Sequence, residues 1–225
     1  MFRKAITLVL FAFLTVVPAS AQRRKAPVKP VAKAPVRPAV IEISDTDWKA
    51  LADVLQSEDW SKAATLANAQ LSVLKAENDK KQLAQLRYLR LFALAGVILE
   101  FNQKANAAEA ERAWLELDRA VASFIGKETV LPPREFAADC AGKLNYICRV
   151  RNTPTALRTT STNKSGDGIH SFDYVRFDSA VEDLKSDNSK IFLGGVLEKA
   201  EYNDDPAKPW VLRLFFTKGF VFELK

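Results

Sequence analysis

The sequence contains a single histidine, His170, and only two cysteines, Cys140 and Cys148. A Ser-His-Asp or Cys-His mechanism would have to use His170, and a metal site built from several histidines is excluded. The cysteines do not form a CxxC motif and have no histidine nearby, which argues against a metal-binding pair. We therefore predict no catalytic residue, no cofactor and no metal site, and an enzyme is the less favoured hypothesis.

Glycine-rich nucleotide-binding motifs are also missing. Gly194 and Gly195 follow a predicted strand, but they match neither a P-loop nor a dinucleotide fingerprint. The segment NKSGDG at 163–168 lacks the ligand spacing of a calcium loop. With no companion motif beside it, His170 is expected to be a structural residue at the start of a strand.

The first 21 residues have the features of a secretory signal peptide. Arg3 and Lys4 precede an apolar run at 5–17, and an Ala-Ser-Ala cleavage site follows. The run is shorter than the roughly 20 residues that a membrane-spanning helix needs. We expect cleavage near Gln22 and export to the periplasm or out of the cell, with no transmembrane segment left after cleavage.

Residues 22–40 are rich in proline and in positive charge. Proline fixes φ and removes a backbone donor, and like charges repel, so this segment is predicted to be a disordered linker. Eight of the 33 Lys and Arg residues precede residue 40, whereas all 27 acidic residues follow it, which leaves the remainder with a net charge of −2. That distribution argues against a nucleic-acid partner. An alternative role for residues 22–39 is adhesion to an anionic envelope surface.

Residues 41–130 have the periodicity of helices. Ser44 and Asp47 resemble a capping box at the start of the first helix. Three further helices are predicted at about 59–76, 79–101 and 106–125, the last ending at Gly126. Their tryptophans fall at helical spacing and are expected to anchor the core: Trp48, Trp60 and Trp114.

Two groups of apolar and small residues in this helical part have a similar spacing. The first group is Trp48, Leu51, Ala52, Leu55 and Ala64, and the second is Phe92, Ala95, Gly96, Leu99 and Ala108. The spacing resembles that of the tetratricopeptide repeat family, although the two groups are offset by 44 residues and such repeats recur at about 34. The resemblance implies a scaffold of helix hairpins that could hold a peptide in a groove.

Residues 131–225 have the pattern of a β domain with short helices. The helices are predicted at 134–140 and 180–185, and the strands at 144–151, 155–162, 169–178, 190–202, 210–217 and 220–224. Three strands, a helix and two strands is the element order of the OB-fold, a small Greek-key barrel that this half resembles. The alternative is a generic antiparallel sheet. The predicted fold class is α+β: a helical-hairpin, tetratricopeptide-like domain followed by a small antiparallel β domain.

The two cysteines are too far apart along the chain to bond within one regular element. In one strand Cys140 and Cys148 would lie roughly 26 Å apart, and in one helix roughly 12 Å. A disulfide needs Cα atoms within about 7 Å. Gly142 offers the required chain reversal, between the end of a short helix and the next strand, and export favours pairing. We predict a structural disulfide, with two buried free thiols as the alternative.

One predicted strand alternates aromatic and basic side chains. His170, Phe172, Tyr174 and Arg176 would share one face of the strand at 169–178. Such a face can stack on bases, sugars or peptides, and it is the candidate binding surface. The alternative is that Phe172 and Tyr174 pack in the core.

These features favour an exported, non-enzymatic scaffold or binding protein of the cell envelope that recognises a protein or peptide partner. One alternative is a module that binds an anionic polymer or a membrane surface through the basic tail. A second alternative is a hydrolase that uses a pair of carboxylates, since acidic residues are plentiful.

Overall fold

The computed structural model describes residues 44–74, 80–181, 184, 189–203, 205, 208 and 210–223. The predicted signal peptide and the predicted linker lie outside the described residues. Within the described part, helices precede strands, so the α+β class is confirmed. The helices are α1 (Asp45–Gln56), α2 (Trp60–Val73), α3 (Lys80–Gln103) and α4 (Ala107–Phe124). The strands are β1 (Glu128–Val130), β2 (Arg134–Ala137), β3 (Ile147–Val150), β4 (Thr153–Thr162), β5 (Ile169–Arg176), β6 (Lys190–Tyr202) and β7 (Trp210–Glu223).

Short polar side chains set the starts of three helices. The Ser44 hydroxyl accepts a hydrogen bond from the Asp47 backbone N–H at 3.1 Å, as the sequence predicted. Asp59 and Asn106 cap α2 and α4 in the same way. At the other end of α4, Gly126 has a φ of 76°, the left-handed conformation that glycine adopts most readily after a helix. These local signals explain why the predicted helix starts lie close to the observed ones.

Helix α3 is the centre of the helical layer. It packs against α2, α4 and strands of the sheet. It is long and apolar enough to cross a membrane, yet most of it is buried within the protein, as in the core helix of a soluble domain. Trp60 of α2 is buried against it, while Trp48 and Trp114 are half-buried. One continuous hydrophobic cluster joins the helices to the inner side of the sheet.

The sheet is mixed, which corrects the prediction of an antiparallel domain. Strands β3, β4 and β5 form an antiparallel meander, but β2 pairs with β3 in parallel and β5 pairs with β7 in parallel. Strand β6 pairs antiparallel with β1, β2 and β7. Strand β6 follows β5 along the chain and runs antiparallel to β7, so β7 runs in the same direction as β5. Alternation along a single strand does not specify the direction of its neighbour.

Several predicted elements of the second half are wrong in detail. Residues 134–137 form strand β2 instead of a short helix, because Arg134 pairs with Ile191 and Phe136 pairs with Ile147. The predicted helix at 180–185 is not seen at the positions within it that the structure describes, Ala180, Val181 and Leu184; its other residues lie outside the described part. The separation of strands 210–217 and 220–224 is also wrong, since residues 210–223 form the single strand β7.

Candidate binding site on the outer side of the sheet

The residues of β5 alternate between a buried side and a more exposed side. Ser171, Asp173 and Val175 point inward and are almost wholly buried. Phe172 and Tyr174 are half-buried, and Arg176 is exposed. The structure therefore brings three of the four predicted face residues together on what we term the outer side of β5.

His170 does not belong to this outer side, which corrects the predicted four-residue face. The register of β4 and β5 shifts beside it, and its side chain is wholly buried. The ring stacks on Phe92 at 4.2 Å between centroids and meets Trp60 edge-on at 4.5 Å. Its Nδ1–H donates to the Phe92 carbonyl at 2.9 Å. Burial lowers the pKa of His170 to about 4, so the ring is neutral at physiological pH.

Aromatic rings on the outer side form pairs across neighbouring strands. Tyr174 stacks on Phe215 of β7 with centroids 5.3 Å apart, and Phe172 meets Trp210 at 6.0 Å. The pairing register sets Tyr174 directly beside Phe215, which accounts for the stacking. Arg176 forms an ion pair with Glu198 at 3.5 Å. The predicted face is thus a packed aromatic surface whose cation already has a partner.

A large cavity lies at the end of this surface, beside the turn between β3 and β4. Its volume is about 890 Å³, and its lining includes residues 149–154, Arg158, Tyr174 and part of the loop after β2. Three of the lining side chains are arginines: Arg149, Arg151 and Arg158. The one carboxylate in the lining, Asp139, accepts a hydrogen bond from the Ala141 backbone N–H at 3.0 Å. Positive charge therefore predominates in this cavity.

A second cavity of about 410 Å³ adjoins the first. Its lining includes residues 142–144, Thr159, Thr160 and Phe172, and it shares Arg158 and Tyr174 with the larger cavity. We call the two together the basic groove and define it by six side chains: Lys143, Arg149, Arg151, Arg158, Phe172 and Tyr174. The groove brings cations and aromatic rings together in the lining of two adjoining cavities.

The three arginines of the basic groove are held differently. Arg149 donates to the Val181 carbonyl and lies 5.7 Å from the centre of the Phe136 ring, so it is fixed in place. The side chains of Arg151 and Arg158 are exposed, and neither guanidinium has a hydrogen-bond or ion-pair partner among the residues that the structure describes. These two cations are available to an incoming anion.

The disulfide loop, residues 138–146, contributes to the lining of both cavities. Cys140 and Cys148 are bonded, with Cα atoms 5.7 Å apart. Cys148 lies in β3, which runs parallel to β2, so the bond joins the end of one strand to its neighbour. Gly142 has a φ of 70° and makes the predicted reversal, but the element before Cys140 is a strand and not a helix.

Asn145 fixes the far end of the disulfide loop to β4. Its backbone N–H donates to the Thr160 hydroxyl at 3.1 Å, and its side-chain amide donates to the Thr162 hydroxyl at 2.9 Å. Its positive φ of 60° is one that asparagine tolerates better than most residues. The loop is therefore anchored at both ends, by the disulfide and by Asn145.

Behind the groove, a buried polar network connects the sheet to α3. The Tyr88 hydroxyl donates to Asp173 Oδ2 at 2.7 Å, and the Ser161 hydroxyl donates to the same oxygen at 3.2 Å. Arg134 donates to Ser161 Oγ at 2.6 Å and also reaches Thr159 and the Thr160 carbonyl. Burial raises the pKa of Asp173, while the positive charge of Arg134 opposes that rise. Neither Asp173 nor Tyr88 lines the two cavities, so the network has a structural role.

The arginines of the groove were missed by the sequence analysis. Their signal is the segment CRVRNTPTALR, in which Arg149, Arg151 and Arg158 flank a short turn. Arg149 lies in β3, Arg151 follows that strand in the turn, and Arg158 lies in β4 opposite Cys148. The hairpin that gathers these cations could have been predicted from the turn.

Among the residues that the structure describes, no group of three or more His, Cys, Asp or Glu side chains could hold a metal ion. Comparisons with protein-family models, with curated proteins and with solved structures found no match to this chain.

Proposed function

We propose that this protein is an exported, non-enzymatic binding protein of the cell envelope that recognises a protein or peptide partner. The observation that carries the proposal is the basic groove. It offers two cations without partners among the described residues, beside two half-buried aromatic rings of the β-sheet. Functional sites on adjustable loops supported by a rigid scaffold are typical of recognition proteins.

The chemistry of the groove favours binding over catalysis. A hydrolase that uses two carboxylates would need a facing pair, and Asp139 is the one carboxylate among the described lining residues, already engaged by a backbone donor. His170, the sole histidine of the sequence, is buried among aromatic rings on the other side of β5. The groove thus lacks the acid–base pair that the alternative enzyme hypothesis requires.

Export is the second part of the proposal, and it rests on the leader and the tail of the sequence. The disulfide is compatible with it, because such bonds persist in oxidising compartments. The mass of the natural mature protein tests this directly. A chain that begins near Gln22 is expected, and a cytosolic protein that retains Met1 would contradict export.

We also propose the finer fold assignments that the sequence favoured. The OB-like arrangement is supported by the meander β3–β4–β5 followed by the paired β6 and β7, and by pairings that run from β6 through β2, β3, β4, β5 and β7 back to β6. The tetratricopeptide-like arrangement is supported by small buried residues on α2 and α3, among them Ala64 and Gly96. An experimental structure of the mature protein tests both assignments.

Affinity capture with a groove variant tests the binding function. Immobilised mature protein is incubated with solubilised envelope proteins, in parallel with Arg151→Gln/Arg158→Gln and with the matched control Arg112→Gln/Arg119→Gln on α4. A partner should be recovered by the natural protein and by the control, but not by the groove variant. Recovery of the same proteins in equal amounts by all three would contradict a partner site in the groove.

A second candidate function is adhesion through residues 22–39, which carry six cations and no acid. Deleting residues 22–39 distinguishes adhesion through the tail from binding through the basic groove. A tail-driven adhesin would lose salt-dependent binding to an acidic polymer on deletion. Binding that survives the deletion with its salt dependence unchanged would eliminate this second candidate.

A further inference from the structure

We infer that the ligand of the basic groove is an extended acidic peptide segment of the partner protein, in which carboxylate side chains alternate with apolar or aromatic ones. This inference rests on the proposed function and names the chemistry that the same site selects.

The charge of the groove requires an anionic ligand. Arg151 and Arg158 are exposed, line the same cavity and have no side-chain partner among the described residues. A planar guanidinium matches the two oxygens of a carboxylate through a pair of parallel hydrogen bonds. Asp139, the one carboxylate in the lining of the larger cavity, forms no ion pair with either arginine among the described residues. A ligand with two carboxylates would form an ion pair with each of the two arginines.

The aromatic part of the groove accounts for apolar side chains between the acidic ones. Tyr174 lines both cavities and Phe172 lines the smaller one. Each ring packs against a ring of β7 along one side and stays half-buried, so part of its surface is left for contact. Apolar burial against these rings adds affinity that a purely ionic ligand would forgo.

The polar groups at the turn suit a peptide backbone. Asn152 and Thr153 line the larger cavity and are exposed, between the cations of β3 and the cation of β4. Their amide and hydroxyl groups can donate to and accept from the main chain of a bound segment. A polyphosphate would use the arginines and can accept hydrogen bonds from these side chains, but it has no apolar group for the rings. The peptide therefore uses more of the groove.

Fluorescence anisotropy with defined peptides tests the inference. The probe is a fluorescein-labelled octapeptide of alternating Glu and Phe, and the control probe replaces every Glu with Gln. The mature protein should bind the Glu probe at least tenfold more tightly than the Gln probe. In Arg151→Gln/Arg158→Gln the affinity for the Glu probe should fall at least tenfold, because hydrogen bonds to charged groups are lost at two positions. In Arg112→Gln/Arg119→Gln it should stay within twofold, although the total charge change is the same.

The outcomes separate failure of this inference from failure of the proposed function. Equal loss in both variants would mean that the overall positive charge of the protein attracts the probe, and unchanged affinity in both would mean that the basic tail binds it. Either outcome overturns the inference. Tighter binding of labelled inorganic polyphosphate or an eight-residue oligothymidylate, lost in the groove variant, would assign a phosphate ligand to the same groove and overturn the peptide. If the Glu probe, polyphosphate and oligothymidylate all fail to bind, and the groove variant still captures every envelope partner, the proposed function fails as well.

Discussion

The two sides of strand β5 differ in what their polar groups contact. On the inner side Asp173 is wholly buried, and it accepts hydrogen bonds from Tyr88 and Ser161 within a network that includes Arg134. On the outer side the rings of Phe172 and Tyr174 are half-buried, and the neighbouring Arg158 points to a cavity without a partner among the described residues. The inner carboxylate is thus enclosed by the protein and accepts hydrogen bonds at Oδ2, although its Oδ1 has no partner among the described residues, whereas the outer cation is exposed to solvent.

The difference separates the roles of the two sides. A buried charge is costly to leave without partners, so the inner network constrains how α3 sits on the sheet. An exposed cation contributes little to folding, so our proposal assigns Arg151 and Arg158 to ligand binding and not to stability. Substitutions inside should therefore change stability, and substitutions outside should change binding.

The largest expected effect is on the inner side, at Arg134. Arg134→Met leaves Asp173 buried without its neighbouring cation and removes three hydrogen bonds. The free energy of unfolding in urea should fall by about 3–5 kcal/mol. Adding Asp173→Leu should recover part of that loss, because the orphaned carboxylate is gone. A loss below about 1 kcal/mol in the single variant would contradict the structural role of the network.

The next effect is the pH dependence that His170 confers. Its pKa is about 4 when folded and 6.5 when exposed, so between these pH values the unfolded chain binds more protons. Stability should therefore fall by about 3 kcal/mol as the pH drops from 6.5 to 4, relative to His170→Phe. Asp173, whose pKa is raised, acts in the opposite direction in both proteins and cancels in the comparison. Equal urea midpoints for the two proteins at every pH would show that the ring is not buried.

The disulfide should have a smaller effect. Its short loop predicts that reduction costs about 2.5 kcal/mol of stability under the chain-entropy model. The measurement is urea unfolding with and without a phosphine reductant, and Cys140→Ser/Cys148→Ala serves as the control that the reductant cannot affect. Free thiols found by labelling the untreated, denatured protein would contradict the bond.

The smallest effect on stability is expected in the basic groove. Arg151→Gln/Arg158→Gln should change the free energy of unfolding by less than about 0.5 kcal/mol, because both side chains are exposed. The same urea measurement applies, with Arg134→Met as the contrasting variant. A loss of 2 kcal/mol or more would mean that these arginines support the fold, and the distinction between the two sides would then fail.

The helical half of the fold was largely predictable because its signals are local. Ser44 and Asp59 cap helices through contacts three residues away, and Gly126 ends α4 through its own backbone conformation. Export and the disordered linker were inferred from residues 1–40. Those residues lie outside the described part, so both inferences stay predictions. The run at 91–99 is too apolar to be exposed, which fits the central position of α3.

The sheet and the site were less predictable because they depend on contacts between distant segments. Arg134 lies in a strand only because its partners at 190–191 and the next strand approach it. His170 was expected on an exposed face, but the register shift beside it turns its ring toward Trp60 and Phe92. Regular alternation cannot reveal a bulge whose position is set by the neighbouring strand.

The most direct measurement is an amide ¹H–¹⁵N NMR titration of the mature protein with the alternating Glu–Phe peptide. Chemical-shift changes should concentrate in the β3–β4 hairpin, the disulfide loop and the outer residues of β5, and leave α4 unchanged. Changes confined to residues 22–39, or spread evenly over the exposed cations, would contradict a peptide site in the basic groove.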